Sequence, residues 1–108
     1  MAQDLRVDPD ALIVLADACL TAADDLGEHY RTAFGDLLPP VAAFGNTVAS
    51  ARTARAAELA HAAAGDAVCG HVQVLEGDAD RLLQAAFAYR AADRAADQRM
   101  GGSRRPAL

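Results

Sequence analysis

The apolar residues in the first third of the chain recur at alternating steps of four and three. This spacing places them on one face of a helix, and the acidic residues of the segment fall mostly off that face. Asp8 precedes Pro9, so its carboxylate can cap free amide groups while proline takes the first helical position. The pattern predicts a helix over residues 9–35 with this buried stripe: Leu12, Ala16, Cys19, Ala23, Leu26, Tyr30 and Phe34.

A turn is predicted after this helix. Pro39 and Pro40 end the helical pattern, because the residue before a proline avoids the helical region of backbone conformation. Phe44 and Gly45 form the predicted inter-helix turn, and Asn46 or Thr47 is the predicted cap of the next helix. Residues 48–64 are rich in alanine and compatible with a helix throughout.

The second half of the chain repeats the alternating spacing of the first. One helix is predicted from about residue 67 to residue 97, although each glycine inside it costs about 1 kcal/mol relative to alanine. The apolar face shifts upstream of Gly65, which predicts a kink or a short break there with Asp66 as a new cap. The stripe of this helix is Val68, Val72, Leu75, Ala79, Leu82, Ala86, Tyr89 and Asp93.

Together these patterns predict an all-α fold, an antiparallel helical hairpin with a long second arm. Alanine supplies most of the hydrophobic fraction of 53%, so the core of a lone hairpin would be thin. Pairing of two hairpins would complete a four-helix bundle. The predicted organisation is an extended lead-in over residues 1–7, a hairpin domain over 8–98 and a disordered tail over 99–108.

Charge and hydropathy exclude several classes of protein. The net charge of -5 argues against nucleic-acid binding, which needs a clustered basic surface. No apolar run approaches the ~20 residues that cross a membrane as a helix. The acidic start of the chain is unlike a secretory signal peptide, so any export is expected to use another route.

Tyr89 and Asp93 lie four residues apart near the end of the second helix. Side chains at this spacing share one helix face, so a partner outside the chain can recognise the phenol and the carboxylate as a unit.

Four stretches of sequence, in this order, carry a resemblance to a known family. They are Leu5-Arg6-Val7-Asp8-Pro9-Asp10-Ala11-Leu12, Ala43-Phe44-Gly45-Asn46, Val74-Leu75-Glu76-Gly77-Asp78-Ala79-Asp80-Arg81-Leu82 and Ala86-Phe87-Ala88-Tyr89-Arg90-Ala91-Ala92-Asp93. With them the chain resembles the mycobacterial EspC-type family of type VII (ESX) secretion substrates, which are similar to the small WxG-motif helical hairpins. The chain has no Trp; Phe44 and Gly45 lie where the Trp-x-Gly turn would be.

The resemblance implies a function, a location and partners. Proteins of this family are exported folded, often as dimers, and carry a C-terminal Tyr-x-x-x-Asp/Glu signal that Tyr89 and Asp93 match. The implied protein is a non-enzymatic substrate, made in the cytoplasm without a cleavable signal peptide and then secreted or held in the cell envelope. Its implied partners are the ATPase or chaperone component of the secretion machinery and a second or related hairpin.

A second hypothesis is a cytoplasmic dimerisation or adaptor module for a larger partner, in which Tyr89 and Asp93 are ordinary surface residues. Cys19 and Cys69 are interpreted as two buried thiols in preference to a disulfide, since their heights in a hairpin do not match. No catalytic group, metal site or cofactor is predicted. The three histidines lack the spacing of metal ligands, and no nucleophile elbow or phosphate loop is present.

Overall fold

The computed structural model describes residues 6–104, and the side chains of residues 6–101. It contains two long α-helices, α1 over Pro9–Phe34 and α2 over Val48–Arg104. Residues 35–47 join them and include a short 3₁₀ helix, Val41–Phe44. The described residues form no β-strand, so the predicted all-α class is confirmed.

The start of α1 matches its prediction. Asp8 has extended backbone angles, and its Oδ1 accepts a hydrogen bond of 3.0 Å from the amide of Asp10. Pro9 is the first helical residue. The helix ends at Phe34, one residue before the predicted boundary, so both the cap and the extent of α1 follow from local sequence.

The turn into α2 is held by a reciprocal pair of side chains. Thr47 Oγ1 accepts a 3.1 Å hydrogen bond from the Ser50 amide, and Ser50 Oγ accepts a 3.2 Å hydrogen bond from the Thr47 amide. This arrangement satisfies two amides in the manner of a capping box. Of the two predicted caps, Thr47 is therefore the one used.

α2 is a single helix of 57 residues, about 86 Å long at 1.5 Å per residue. It runs uninterrupted through Gly65, Gly70 and Gly77, so the predicted short break with Asp66 as a cap is absent; a kink at this point stays a prediction. A Cβ built on Gly65 would lie 3.2 Å from the hydroxyl of Tyr30. The physical role of Gly65 is thus to admit a side chain of α1.

The far end of α2 also differs from the predicted organisation. The helix continues to Arg104, so the predicted start of a disordered tail at residue 99 falls inside it. Residues 105–108, and residues 1–5 of the predicted lead-in, lie outside the described part of the chain.

The two helices pack antiparallel through small residues. Asp10 meets Arg90 at one end of the pair, and Tyr30 meets Gly65 near the other. The buried side chains among residues 6–101 are all alanines, and the larger apolar residues of both stripes are half-buried or exposed. Alanine lets the helix backbones approach closely but buries little area. The buried residues are Ala16, Ala23, Ala54, Ala79 and Ala86.

The molecule is long and only one helix layer thick. Its principal dimensions are 93 × 31 × 14 Å and its radius of gyration is 25.4 Å, against about 13 Å for a compact domain of this length. The accessible surface is 8704 Å², whereas a compact monomer of 11.2 kDa would expose about 5,700 Å². Folding as a lone hairpin therefore leaves a large apolar area in water.

Candidate functional site

The candidate site lies near the C-terminal end of α2, where α2 extends past the start of α1. The buried stripe of α2 passes through Ala79 and Ala86, and the same spacing continues to Tyr89 and Asp93. Arg90 lies level with Asp10, in the first turn of α1. The face of α2 that packs against α1 therefore reaches the first turn of α1 near Tyr89, and it continues past the start of α1 to Asp93.

Both side chains of the pair are accessible. Tyr89 exposes 44% of its surface although it continues a packing stripe, and Asp93 is exposed one turn later. Within residues 6–101 neither side chain forms a hydrogen bond or an ion pair. Arg90, which lies between them in sequence, is held by the carboxylate of Asp10. Asp93 thus keeps its acceptor capacity for an external donor.

An apolar groove opens next to this end of the hairpin. It has a volume of about 380 Å³ and is lined by Leu15, Cys19, Asp78, Arg81 and Leu82. Arg81 donates a 2.8 Å hydrogen bond to Asp78, so the charged groups at the rim are paired with each other. Leu82 is two turns from Tyr89 on the same side of α2, about 10 Å along the axis. The groove and the Tyr89–Asp93 pair thus lie on one side of the molecule.

The sequence pattern does not predict this groove. Its residues were individually visible as stripe positions or their neighbours, but the meeting of Leu15 and Cys19 with Leu82 depends on the register between the helices. No local signal in the sequence specifies that register.

A second groove lies on the other side of the helix pair, with a volume of about 410 Å³. It is polar, with three carboxylates and one guanidinium in its wall. No group of three or more His, Cys, Asp or Glu side chains in the described residues is arranged to hold a metal ion. The lining residues are Ala23, Asp24, Gly27, Glu28, Arg31, Val72 and Glu76.

The predicted turn residues are far from the Tyr89–Asp93 pair. Phe44 ends the 3₁₀ helix and is half-buried, and Gly45 has a φ of 98°. This turn leads into the start of α2, whereas Tyr89 and Asp93 lie toward its end. The structure therefore does not bring the two sets of predicted site residues together.

The two cysteines are separate free thiols. Cys19 lies in the groove level with Leu82, while Cys69 lies one turn after Gly65, near Tyr30. Thirteen residues of α2 separate Leu82 from Cys69, or roughly 20 Å along its axis, and a disulfide needs Cα atoms within about 7 Å. This separation agrees with the preference for two thiols over a disulfide. The prediction that both thiols are buried is wrong, because Cys19 is half-buried and Cys69 is exposed.

The fold and the site together define an all-α helical-hairpin protein with an accessible Tyr–Asp pair at the open end. The helices of the described residues contain no stretch long and apolar enough to cross a membrane. Comparison with family models, curated proteins and solved structures gives no match to this chain.

Proposed function

We propose that this protein is a non-enzymatic, exported helical substrate of a type VII secretion system, and that Tyr89 and Asp93 are its C-terminal secretion signal. The secretion machinery, through its ATPase or chaperone component, would bind this end of α2. The protein would leave the cytoplasm folded and act outside it or in the cell envelope.

The observation that carries the proposal is the exposure of a packing stripe at the open end of the hairpin. Tyr89 offers a large amphipathic surface, and Asp93 can fix the orientation of a partner through a charged hydrogen bond. Both groups lie on α2 and form no hydrogen bond or ion pair among the side chains of residues 6–101. A partner that packed there would continue, along α2, the kind of helix contact that α2 makes with α1. The resemblance in sequence supplies the secretion context.

Pairing with a second hairpin is part of the proposal. A core of alanines and an accessible surface of 8704 Å² leave the isolated chain weakly stabilised. A second copy, or a related hairpin, packed on the layer would cover the exposed apolar residues and complete a four-helix bundle.

The second candidate is a cytoplasmic dimerisation or adaptor module for a larger partner. The same observation of a thin core favours it, because an intracellular partner would cover the same surfaces. In that case Tyr89 and Asp93 would have no role in export. The two candidates differ in where the protein is found and in what the Tyr89–Asp93 pair does.

A secretion assay separates the candidates. Tagged wild type, Tyr89→Ala and Asp93→Ala would be expressed in a host with an active type VII system, and lysate and culture filtrate would be compared. Phe87→Ala and Asp97→Ala are the matched controls, since each removes an exposed side chain of similar chemistry from the same helix. We expect wild type and both controls in the filtrate, and both signal variants retained in the cell at normal abundance.

Two results would count against the export proposal. Wild type confined to the lysate and bound to a stable partner would favour the adaptor module. Export of all five proteins at equal levels would show that the Tyr89–Asp93 pair is not the signal.

A further inference from the structure

The end of the molecule opposite the Tyr89–Asp93 pair carries an apolar surface of its own. Residues 37–51 contain no charged side chain. Within this stretch four large apolar side chains are exposed, and we call them the apolar tip: Leu37, Leu38, Val41 and Val48. The 3₁₀ helix in this stretch lies next to α2, and its last residue, Phe44, is half-buried.

Several backbone amides of this segment donate hydrogen bonds within the chain. The amide of Ala43 donates to the carbonyl of Pro40 at 2.9 Å, and the amide of Gly45 donates to Ala42. Pro39 and Pro40 have no amide hydrogen. Thr47 and Ser50 satisfy each other through the reciprocal bonds of the cap. A segment of this kind can enter a medium of low dielectric constant at a smaller desolvation cost than an open loop.

The charges behind the tip differ from those of the rest of the chain. Residues 31–58 contain three arginines and two carboxylates, a net charge of +1, whereas the whole chain has a net charge of -5. Arg52 and Arg55 lie among the first eight residues of α2, directly behind the tip in sequence, and Arg55 forms an exposed ion pair of 3.3 Å with Glu58. The acidic positions of α1 end at Glu28, about 9 Å of helix before Phe34, and the one carboxylate next to the tip in sequence is Asp36, which precedes Leu37.

We propose that the apolar tip inserts into the interface of an anionic lipid bilayer, with Arg52 and Arg55 at the level of the lipid phosphates. Long cationic side chains behind an apolar surface are suited to that position. A lipid surface fits better than a protein partner because interfaces between proteins carry a hydrogen bond per 100–200 Å². The tip offers apolar side chains, and the amides of Ala43, Gly45 and Thr47 already donate hydrogen bonds within the segment. This inference is independent of how the protein reaches the membrane.

The test is co-sedimentation of the full-length protein with vesicles. One set contains phosphatidylcholine alone, and the other contains equal parts of phosphatidylcholine and phosphatidylglycerol. The central comparison is Val41→Ser against Val74→Ser, because both valines are 59% exposed but Val74 lies in the middle of α2. Circular dichroism of each variant verifies that the helices are retained.

We expect wild type to bind the anionic vesicles and Val74→Ser to bind equally well. The double variant Leu37→Ser/Leu38→Ser should lower the partition coefficient by at least roughly tenfold, because two leucine side chains no longer transfer from water into the bilayer. Val41→Ser should cause a smaller loss. Arg52→Gln/Arg55→Gln should weaken binding to the anionic vesicles and make it less sensitive to salt.

Three results would overturn the proposal. One is failure of wild type to bind either vesicle. Another is equal loss of binding in Val41→Ser and Val74→Ser. The third is binding that the arginine variant abolishes and the tip variants leave intact, which would describe surface adsorption without insertion. If vesicles do not bind and Val41→Ser instead prevents self-association, the tip is an interface with a second copy of this chain.

Discussion

At the scale of single residues, the fold depends on the absence of side-chain volume between the helices. Ala16 and Ala86 are 0% exposed, and Ala23 and Ala79 are 1% exposed. Each of these positions lies on a stripe whose larger members are only partly covered. The packing between the helices therefore depends on how closely the two backbones approach. Added volume at a buried alanine should lower the free energy of unfolding more than loss of a partly exposed leucine.

Replacement of Ala86 by leucine tests this view. Ala86→Leu should lower the free energy of unfolding by about 1–3 kcal/mol, because three extra heavy atoms must fit between packed helices. Ala88→Leu, two residues on and exposed, is the control and should change stability little. Urea denaturation followed by circular dichroism measures both. Equal stability of the two variants would mean that the helices separate easily at Ala86.

Alanine substitutions at two glycines should change the stability of the fold in opposite directions. Gly45 has a φ of 98° and a ψ of -165°, and a Cβ there would lie 2.8 Å from Ser50 Oγ. Gly45→Ala should cost about 1–3 kcal/mol, since this conformation strains any other residue. Gly70 is helical with no atom near its Cβ position, so Gly70→Ala should stabilise by roughly 0.5–1 kcal/mol. Thermal unfolding of the two variants, compared with wild type, measures the difference.

At the scale of elements, the two helices are determined to different degrees by their own sequences. α1 has a capping carboxylate, a proline at the first position and an unbroken stripe, so its limits are local properties. α2 contains five glycines, three of them in its middle, that propensity alone disfavours. It stays continuous because its stripe keeps one register along α1, and at Gly65 the small residue makes room for Tyr30.

The cap of α2 is a direct test of its first turn. Thr47→Ala should cost about 1 kcal/mol, because the Ser50 amide loses the acceptor that it has at 3.1 Å. Asn46→Ala is the matched control and should be close to neutral, as Thr47 already supplies the cap. Chemical denaturation of both variants gives the comparison. A larger loss in Asn46→Ala would assign the cap to the other residue.

At the scale of the whole molecule, the single-layer shape determines how the chain should behave in solution. A hairpin 14 Å thick has one buried seam, and its partly covered leucines and valines face outward on both sides. The surface that folding leaves exposed is the physical reason for expecting association with another helical layer.

Association should make stability depend on concentration. If a second copy completes the bundle, the thermal midpoint should rise with protein concentration, because dimer formation is linked to folding. Sedimentation equilibrium on the same samples gives the mass, and the denatured chain serves as the monomer standard. A cooperative midpoint that does not change with dilution would argue against obligate self-pairing and leave a related hairpin or an effector as the partner.

The sequence by itself determined the elements that rest on local chemistry. The cap at Asp8, the limits of α1, the turn at Phe44 and Gly45, and the shared stripe of Ala86, Tyr89 and Asp93 all follow from periodicity and the stereochemistry of proline and glycine. Hydrogen bonds within a helix join residues four apart, so a single window of sequence contains the information they need.

Only the tertiary structure decided what that pattern means in space. The level at which α1 begins relative to α2 leaves Tyr89 accessible, joins Leu15 to Leu82 in a groove, and separates Cys19 from Cys69. The tertiary structure also shows that Gly65 contacts Tyr30 of α1 within an unbroken helix. These features depend on the register between two helices, which is set by packing between residues far apart in the chain, and no local pattern encodes it.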